Sequence, residues 1–350
     1  MSAPDDDELG ACPLPFRDYD RVVIGHGGGG TLAAELLRQV FLPAFDSPVL
    51  GALEDSAVLG AEPGRIALTT DAFVVKPRFF PGGDLGRLAV AGTVNDLACV
   101  GARPAYISAA FILEEGLALA ELARLVASMR DTAREAGVAL VAGDTKVVER
   151  GSGDGVFIVT TGVGFVPEGR AISVSGARPG DRVLVSGTLG DHGIAVMSQR
   201  SGIETSVVSD CAPLGDLAER LLSAAPGTRV LRDPTRGGLT GVLHEIARAS
   251  RVGFTLDESQ LPIHPEVNAT CELLGFDPLH LANEGKLVAV VPEDEHAAAL
   301  AALRSHPRGA RASSIGHVSA ELPGFVCLRS AVGGTRVLTE LSGEQLPRIC

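Results

Sequence analysis

Tryptophan is absent from this chain of 350 residues and tyrosine occurs only twice, so the aromatic platforms on which sugars and unstacked bases rest are missing. Positive charge is also short. Lys and Arg number 30 against 43 Asp and Glu, a formal net charge of −13, and such a surface repels a nucleic-acid backbone. No run approaches the ~20 consecutive apolar residues of a membrane span. The six cysteines, at 12, 99, 211, 271, 327 and 350, include no Cys-x-x-Cys pair, which argues against a zinc knuckle or a disulfide framework. The opening stretch MSAPDDDELG lacks the basic and apolar regions of a secretory signal. These absences predict a soluble, cytoplasmic protein with no nucleic-acid and no membrane partner.

What is present is material for two cores. The length suits two domains of roughly 150 to 180 residues. RVVIG at 21–25 reads as a short buried strand, and TLAAELLRQVF at 31–41 carries apolar residues at helical spacing. RIALTTDAFVV and AYISAAFIL read as strands on either side of GRLAVAGTVNDLACVGA, an apolar helix rich in small residues. A long amphipathic helix at 117–137 leads to two more strands, VALVAGDT and GVFIVTTGVGFV. SGARPGDRVLVSG is punctuated by Gly and Pro and suits a boundary near 165–178. Beyond it the pattern predicts helices near 192–200, 214–224 and 237–250, and strands near 285–291, 313–318 and 335–339. The expected architecture is α/β (α+β), with a disordered acidic leader over 1–19, domains over 20–168 and 169–340, and a mobile tail over 341–350.

VVIGHGGGGTLAAELL satisfies G-x-G-x-x-G at Gly25, Gly27 and Gly30. This allows a dinucleotide-binding turn, another phosphate-binding loop or a plain flexible turn. Carboxylates at the ends of apolar runs weigh against the dinucleotide reading. Asp55, Asp71, Asp96, Asp144 and Asp233 each stand where a predicted element meets a turn, whereas a dinucleotide fold needs one such acid. Taken singly, each is also a plausible helix cap or turn residue. Converging acids repel one another unless cations neutralise them, and hard oxygen ligands of this kind select Mg²⁺ bridged to nucleotide phosphates.

GTVNDLACVGARP, GDTKVV and RDPTRGGL resemble the signature segments of the aminoimidazole ribonucleotide synthetase-related superfamily. Within it HGGGG, DPTRGGL, ANEGKL and the terminal PRIC are similar to the HypE family of hydrogenase maturation proteins, over nearly the whole chain from about Asp20 to Cys350. The resemblance implies an N-terminal ATP-binding domain that forms a homodimer through its sheet, a C-terminal α/β domain, and ATP with Mg²⁺ as cofactors. It implies that Cys350 is carbamoylated by the carbamoyltransferase HypF, that the tail then enters the protein's own ATP site, and that the S-carboxamide is dehydrated to an S-cyanide. The cyanide passes to the HypC–HypD iron scaffold complex for nickel–iron hydrogenase.

By that similarity Asp55, Asp71, Asp96 and Asp233 are metal ligands or orienting groups. Gly27, Gly28, Gly29 and Gly30 wrap phosphate, and Thr93, Val94 and Asn95 lie against the nucleotide with Asp144 and Arg236. Cys350 carries the substrate. Glu284 and Lys146 are the two candidates for the base, Glu284 preferred because a carboxylate is ordinarily ionised at neutral pH. Lys146 has two other readings, neutralising the transferring phosphoryl group or a solvated pair with Glu149. Arg232 shares the phosphate reading with Arg236, His26 stays open, and His192 reads as a packing residue. Three rivals remain: a purine-precursor or selenide synthetase of the same superfamily, a nicotinamide-dependent dehydrogenase, and a non-catalytic carrier.

Overall fold

Two sheets, one from each half of the chain, meet across a buried helix. The computed structural model describes residues 19–28, 30–53, 56–340 and 348–350. Residues 1–18, Gly29, Glu54, Asp55 and 341–347 lie outside them, and with these all of the expected leader but Tyr19, most of the tail, and the roles given to Gly29 and Asp55.

The first half opens with α1 (Thr31–Leu36), a π turn over Leu37–Phe41, α2 (Leu42–Phe45) and α3 (Pro48–Gly51). β1 (Arg65–Phe73) follows, then a small ribbon of β2 (Phe79–Phe80) and β3 (Gly83–Asp84), α4 (Leu85–Cys99), β4 (Arg103–Glu114), α5 (Leu119–Ala136), β5 (Ala139–Val148) and β6 (Val156–Val166). The strand expected at 21–25 is absent. Arg21 makes an isolated bridge to Ala118, and Ile24–Gly27 turns as a 3-10 helix. Asp84 caps α4 by accepting from Arg87 N–H at 2.9 Å. Gly137, at φ 69, ends α5 in the left-handed conformation that favours glycine.

The first sheet runs β1-β6-β4-β5, with β6 antiparallel to both neighbours and β5 parallel to β4. One face is covered by α4, whose small residues let it lie close to the strands: Ala89, Val90, Ala91 and Val94 are wholly buried. The other face is uncovered, and Ile66 and Leu68 of β1 are 68% and 69% exposed there.

In the second half come β7 (Arg182–Val185), α6 (Asp191–Ser201), α7 (Gly215–Ala224), β8 (Val230–Arg232), α8 (Gly238–Ser250), β9 (Gly253–Asp257) and α9 (Pro265–Leu274). They are followed by β10 (Val288–Val291), α10 (His296–Arg304), β11 (Ser313–Ser319), β12 (Val326–Arg329) and β13 (Thr335–Leu338). The second sheet runs β13-β12-β9-β11-β7-β10-β8, with β12 and β9 its parallel pair. Its central strands are apolar on both sides, as in Val288–Val291, because helices cover both faces. The same α4 that covers the first sheet packs against α7 and β8, so the halves share it.

Candidate active site

The acids of the first half are gathered by β1 and α4. Asp71 is paired in register with Thr160 and faces α4. Thr93 and Asp96, three residues apart, lie on one face of that helix. The Thr93 hydroxyl lies 2.5 Å from that of Thr160 and donates to Asp71 Oδ2 at 3.4 Å, and Thr69 donates to Asp96 Oδ2 at 2.8 Å. Asp71 and Asp96 are themselves within hydrogen-bonding range. Burial, then the Asp96 charge, lifts the Asp71 carboxyl to about 6, against a smaller pull from Arg236.

The second half supplies Asp233 and Glu284. Asp233 is buried at the end of β8, accepts from Cys99 Sγ at 3.7 Å, and is pushed to about 7, first by burial and next by Asp96. Glu284 is 2% exposed and its Oε1 has no hydrogen-bond partner among the described residues. Burial, then Asp233, Asp210, Asp71 and Asp96, raises it well above the carboxylate range. The expectation of a freely ionised Glu284 thus meets an environment that opposes its charge, and positive charge brought to the cluster would work in the other direction. Among the described residues no three His, Cys, Asp or Glu groups are close enough to hold a metal ion. The acids of this cluster share charge without forming a finished cage.

The main chain around Glu284 is pinned from two sides. Asp210 accepts from Glu284 N–H at 3.2 Å, from Gly285 N–H at 3.1 Å and from Lys286 Nζ at 3.1 Å. A Cβ on Gly285 would stand 1.8 Å from the Asp210 carbonyl, so glycine is required for this approach. On the other side Asn95 Nδ2 donates to the carbonyls of Ala212 and Glu284 at 3.1 and 3.3 Å, and Asn95 Oδ1 accepts from Leu214 N–H at 2.8 Å. Asn95 thus clamps the halves together, and Val94 sits in the first core. Both side chains are committed to protein contacts rather than turned to a nucleotide.

Asp144 and Lys146 do not join this cluster within one chain. Their partners on β4 are Ala110 and Ile112, and Ala110 pairs with Val159 of β6, whereas Asp71 pairs with Thr160. Side chains alternate across a strand, so Asp71 faces α4 and Asp144 and Lys146 face the uncovered side, about 14 Å away across three strand spacings. Lys146 pairs with Asp144 at 3.3 Å rather than with Glu149. The glycine turn is also remote from Asp71: a Cβ on Gly27 would lie 2.4 Å from Val147 N, so this glycine serves contact with β5, while a Cβ on Gly28 would only touch the Gly25 carbonyl at 3.6 Å and Gly30 has open space. Arg232 binds Glu245 at 2.8 Å, whereas Arg236 is exposed near Asp71. The His26 ring accepts from Val23 N–H at 3.0 Å and caps the turn.

The last three residues of the expected mobile tail are docked on the first half. Val74 N–H donates to the Cys350 carbonyl and Lys76 N–H to that of Arg348, both at 3.2 Å. This is an antiparallel pairing onto the segment that continues β1. Ile349 is 4% exposed, and Cys350 packs against the first core. Arg348 Nε donates to the Val74 carbonyl at 3.1 Å, its guanidinium pairs with Asp154, and Arg200 donates to the carbonyls of Lys76 and Arg348. His192 Nε2 lies 2.8 Å from the Ile349 carbonyl. Sequence reasoning missed these anchors, together with Ser209, Asp210 and Lys286. The polar signals in DHG at 191–193 and SDC at 209–211 stand among apolar neighbours and read as packing.

The AIR synthase related protein N-terminal domain family matches residues 53–166 and the corresponding C-terminal domain family matches 178–326. The carbamoyl dehydratase HypE of Cupriavidus necator is 55% identical over 341 residues, 97% of each chain. A crystal structure of the hydrogenase maturation protein HypE in complex with ATP superposes with a TM-score of 0.91 at 48% identity, covering 94% of this chain and 99% of that one. A HypE–HypF complex structure aligns with a TM-score of 0.77 at 48% identity, covering 89% and 100%. From the gathered acids to the docked cysteine, this chain belongs to the HypE carbamoyl dehydratase family of AIR synthase related proteins.

Proposed function

We propose that this protein dehydrates a carbamoyl group carried on its own Cys350, with ATP as activating co-substrate: R–S–C(=O)NH₂ + ATP gives R–S–C≡N + ADP + phosphate. The observation that carries the reading is the docked terminus. Its antiparallel pairing directs the chain end back along the segment from Val74 toward Asp71, three residues or about 10 Å away. The carbamoyl dehydratases named among the relatives and the ATP complex of a HypE support the same reading.

The carbonyl oxygen attacks the γ-phosphorus, ADP departs and one N–H proton is released. The second N–H proton is then taken by a base, and the C–O bonding electrons leave with phosphate as the triple bond forms. Asp71, Asp96 and Asp233, with Asp55, would hold Mg²⁺ once its charge draws them together, and the ion would neutralise the phosphates during transfer. The fit rests on the cluster itself: acids lifted to about 6 at Asp71 and about 7 at Asp233 form a site short of positive charge. Charge delivered there lowers Glu284 toward ionisation, so the base is armed when its substrate arrives. Arg236, exposed and near enough to Asp71 to act on its charge, would meet phosphate oxygens.

The uncovered sheet face is proposed as a homodimer interface. A second copy there would meet Asp144 and Lys146, which lie on that face. A HypF-type carbamoyltransferase would load Cys350, and an iron scaffold of the HypC–HypD kind would accept the cyanide in the cytoplasm. No helix among the described residues is long and apolar enough to cross a membrane.

The test is intact-protein mass spectrometry after incubation with the carbamoylating partner, carbamoyl phosphate and Mg·ATP, with peptide mapping of the tail. A carbamoyl adduct on Cys350 loses one water only when ATP is present. Cys350→Ala takes no adduct, and Glu284→Gln keeps the adduct but slows its dehydration by about 10²–10⁴. ATP turnover with an unmodified tail would overturn the reading.

A further inference from the structure

We propose that His192 is the receptor for the tail, a positioning residue whose Nε2–H holds the Ile349 carbonyl and thereby fixes where Cys350 presents its sulfur. The proposal rests on the reading that Cys350 carries the reacting group.

A carbonyl oxygen only accepts, so the Nε2 atom 2.8 Å from the Ile349 oxygen must carry a proton. Burial holds the imidazole below its ordinary pKa, which leaves the ring neutral and its Nδ1 bare. Nδ1 then accepts from the Ser209 hydroxyl at 2.8 Å, and Ser209 Oγ accepts from Cys211 N–H at 3.1 Å. These three bonds run in one direction, from the 209–211 segment through the ring to the tail. The ring is held edge-on to Phe80, with centroids 5.3 Å apart, and Ser209 N–H donates to the Pro81 carbonyl at 2.8 Å. Neither the ring nor its hydroxyl partner can turn away without breaking other bonds.

The same segment carries Asp210, which holds the main chain of Glu284. Tail and proposed base therefore hang on one three-residue support, so a shift at either end reaches the other. Because His192 touches a main-chain carbonyl, it fixes the position of the tail without selecting side chains. Selection falls to the buried pocket around Ile349.

The experiment uses the full-length protein without partner or nucleotide and follows alkylation of Cys350 by iodoacetamide, mapped by peptide mass spectrometry. A second assay follows dehydration of the preloaded protein. His192→Leu removes the donor and should speed alkylation about tenfold, the worth of one hydrogen bond, with dehydration slowed by a similar factor. His192→Gln can return an amide N–H to the Nε2 position and should restore both rates to within about threefold. Ser209→Ala, which removes little volume, should give an intermediate alkylation rate and decides the matter if His192→Leu does not fold. Wild-type alkylation rates in folded His192→Leu or in Ser209→Ala would overturn the proposal, as would a Gln variant as impaired as Leu. Failure of the wild type to dehydrate would sink the carrier reading instead, and the alkylation rates would still decide the receptor.

Discussion

Asp233 bears part of the cost of gathering acids, and its share can be read from pH. The unfolded carboxyl ionises near its ordinary value, about 3.9, while the folded one keeps its proton up to about 7. Between those limits the native state binds more protons than the unfolded state, so stability falls as pH rises and the penalty is complete above about 7. Asp233→Asn removes it. Without divalent cations, the variant should gain on the wild type by on the order of 2–4 kcal/mol between pH 4 and 7.5, measured by urea denaturation at both values. A gap that stays constant with pH would mean that the Asp233 charge does not oppose folding. The sequence marked the acids as ends of apolar runs, a placement that holds for Asp233 just after β8, whereas Asp71 lies within β1 and Asp96 within α4, where pairing and helix face bring them together. His192 was not legible, since its partner Ile349 lies 157 residues away and a histidine beside glycine has no local pattern to mark it.

Among the elements, α4 carries the most. It covers one sheet, contacts the other half, and sends Asn95 to three main-chain groups. Asn95→Ala leaves a buried N–H and two carbonyls without that partner and should cost about 3 kcal/mol, read from the denaturation midpoint. A loss under about 0.5 kcal/mol, the range of an ordinary surface change, would show that the clamp is dispensable. The long elements α4, α5, β1 and β4 to β6 were legible to within a few residues, because α5 and the strands carry a periodic apolar pattern and α4 is an unbroken run of apolar and small residues buried nearly all round. The short strands β8, β9 and β12, three to five residues each, were missed, as segments of that length carry too little periodicity to separate from the ends of helices. RVVIG failed for the opposite reason: its apolar run is β-like, yet no neighbouring strand is available beyond the single bridge at Arg21.

For the whole molecule, the uncovered sheet face sets the prediction. Ile66 and Leu68 expose most of their surface there, a patch of the kind that marks an interface. Leu68→Glu should shift the mass measured by light scattering from dimer to monomer while leaving the circular dichroism unchanged. A wild type that is already monomeric, or a variant that stays dimeric, would remove the sheet face as the interface. The two-domain α/β design was legible from length and from the glycine and proline crossing. The distribution of Asp144 and Lys146 to the far face was not, because face assignment depends on strand register, which no local stretch encodes.

The docked terminus also has a kinetic meaning for any protein that must reach Cys350. A visiting enzyme meets a competitor tethered to the same molecule, at an effective concentration no dilution can lower. If the tail is seated 99% of the time, that visitor's apparent affinity is weakened about a hundredfold. The chain then rations access to its own cysteine, and a modification that loosened the seat at Val74 and His192 would serve as the signal for release.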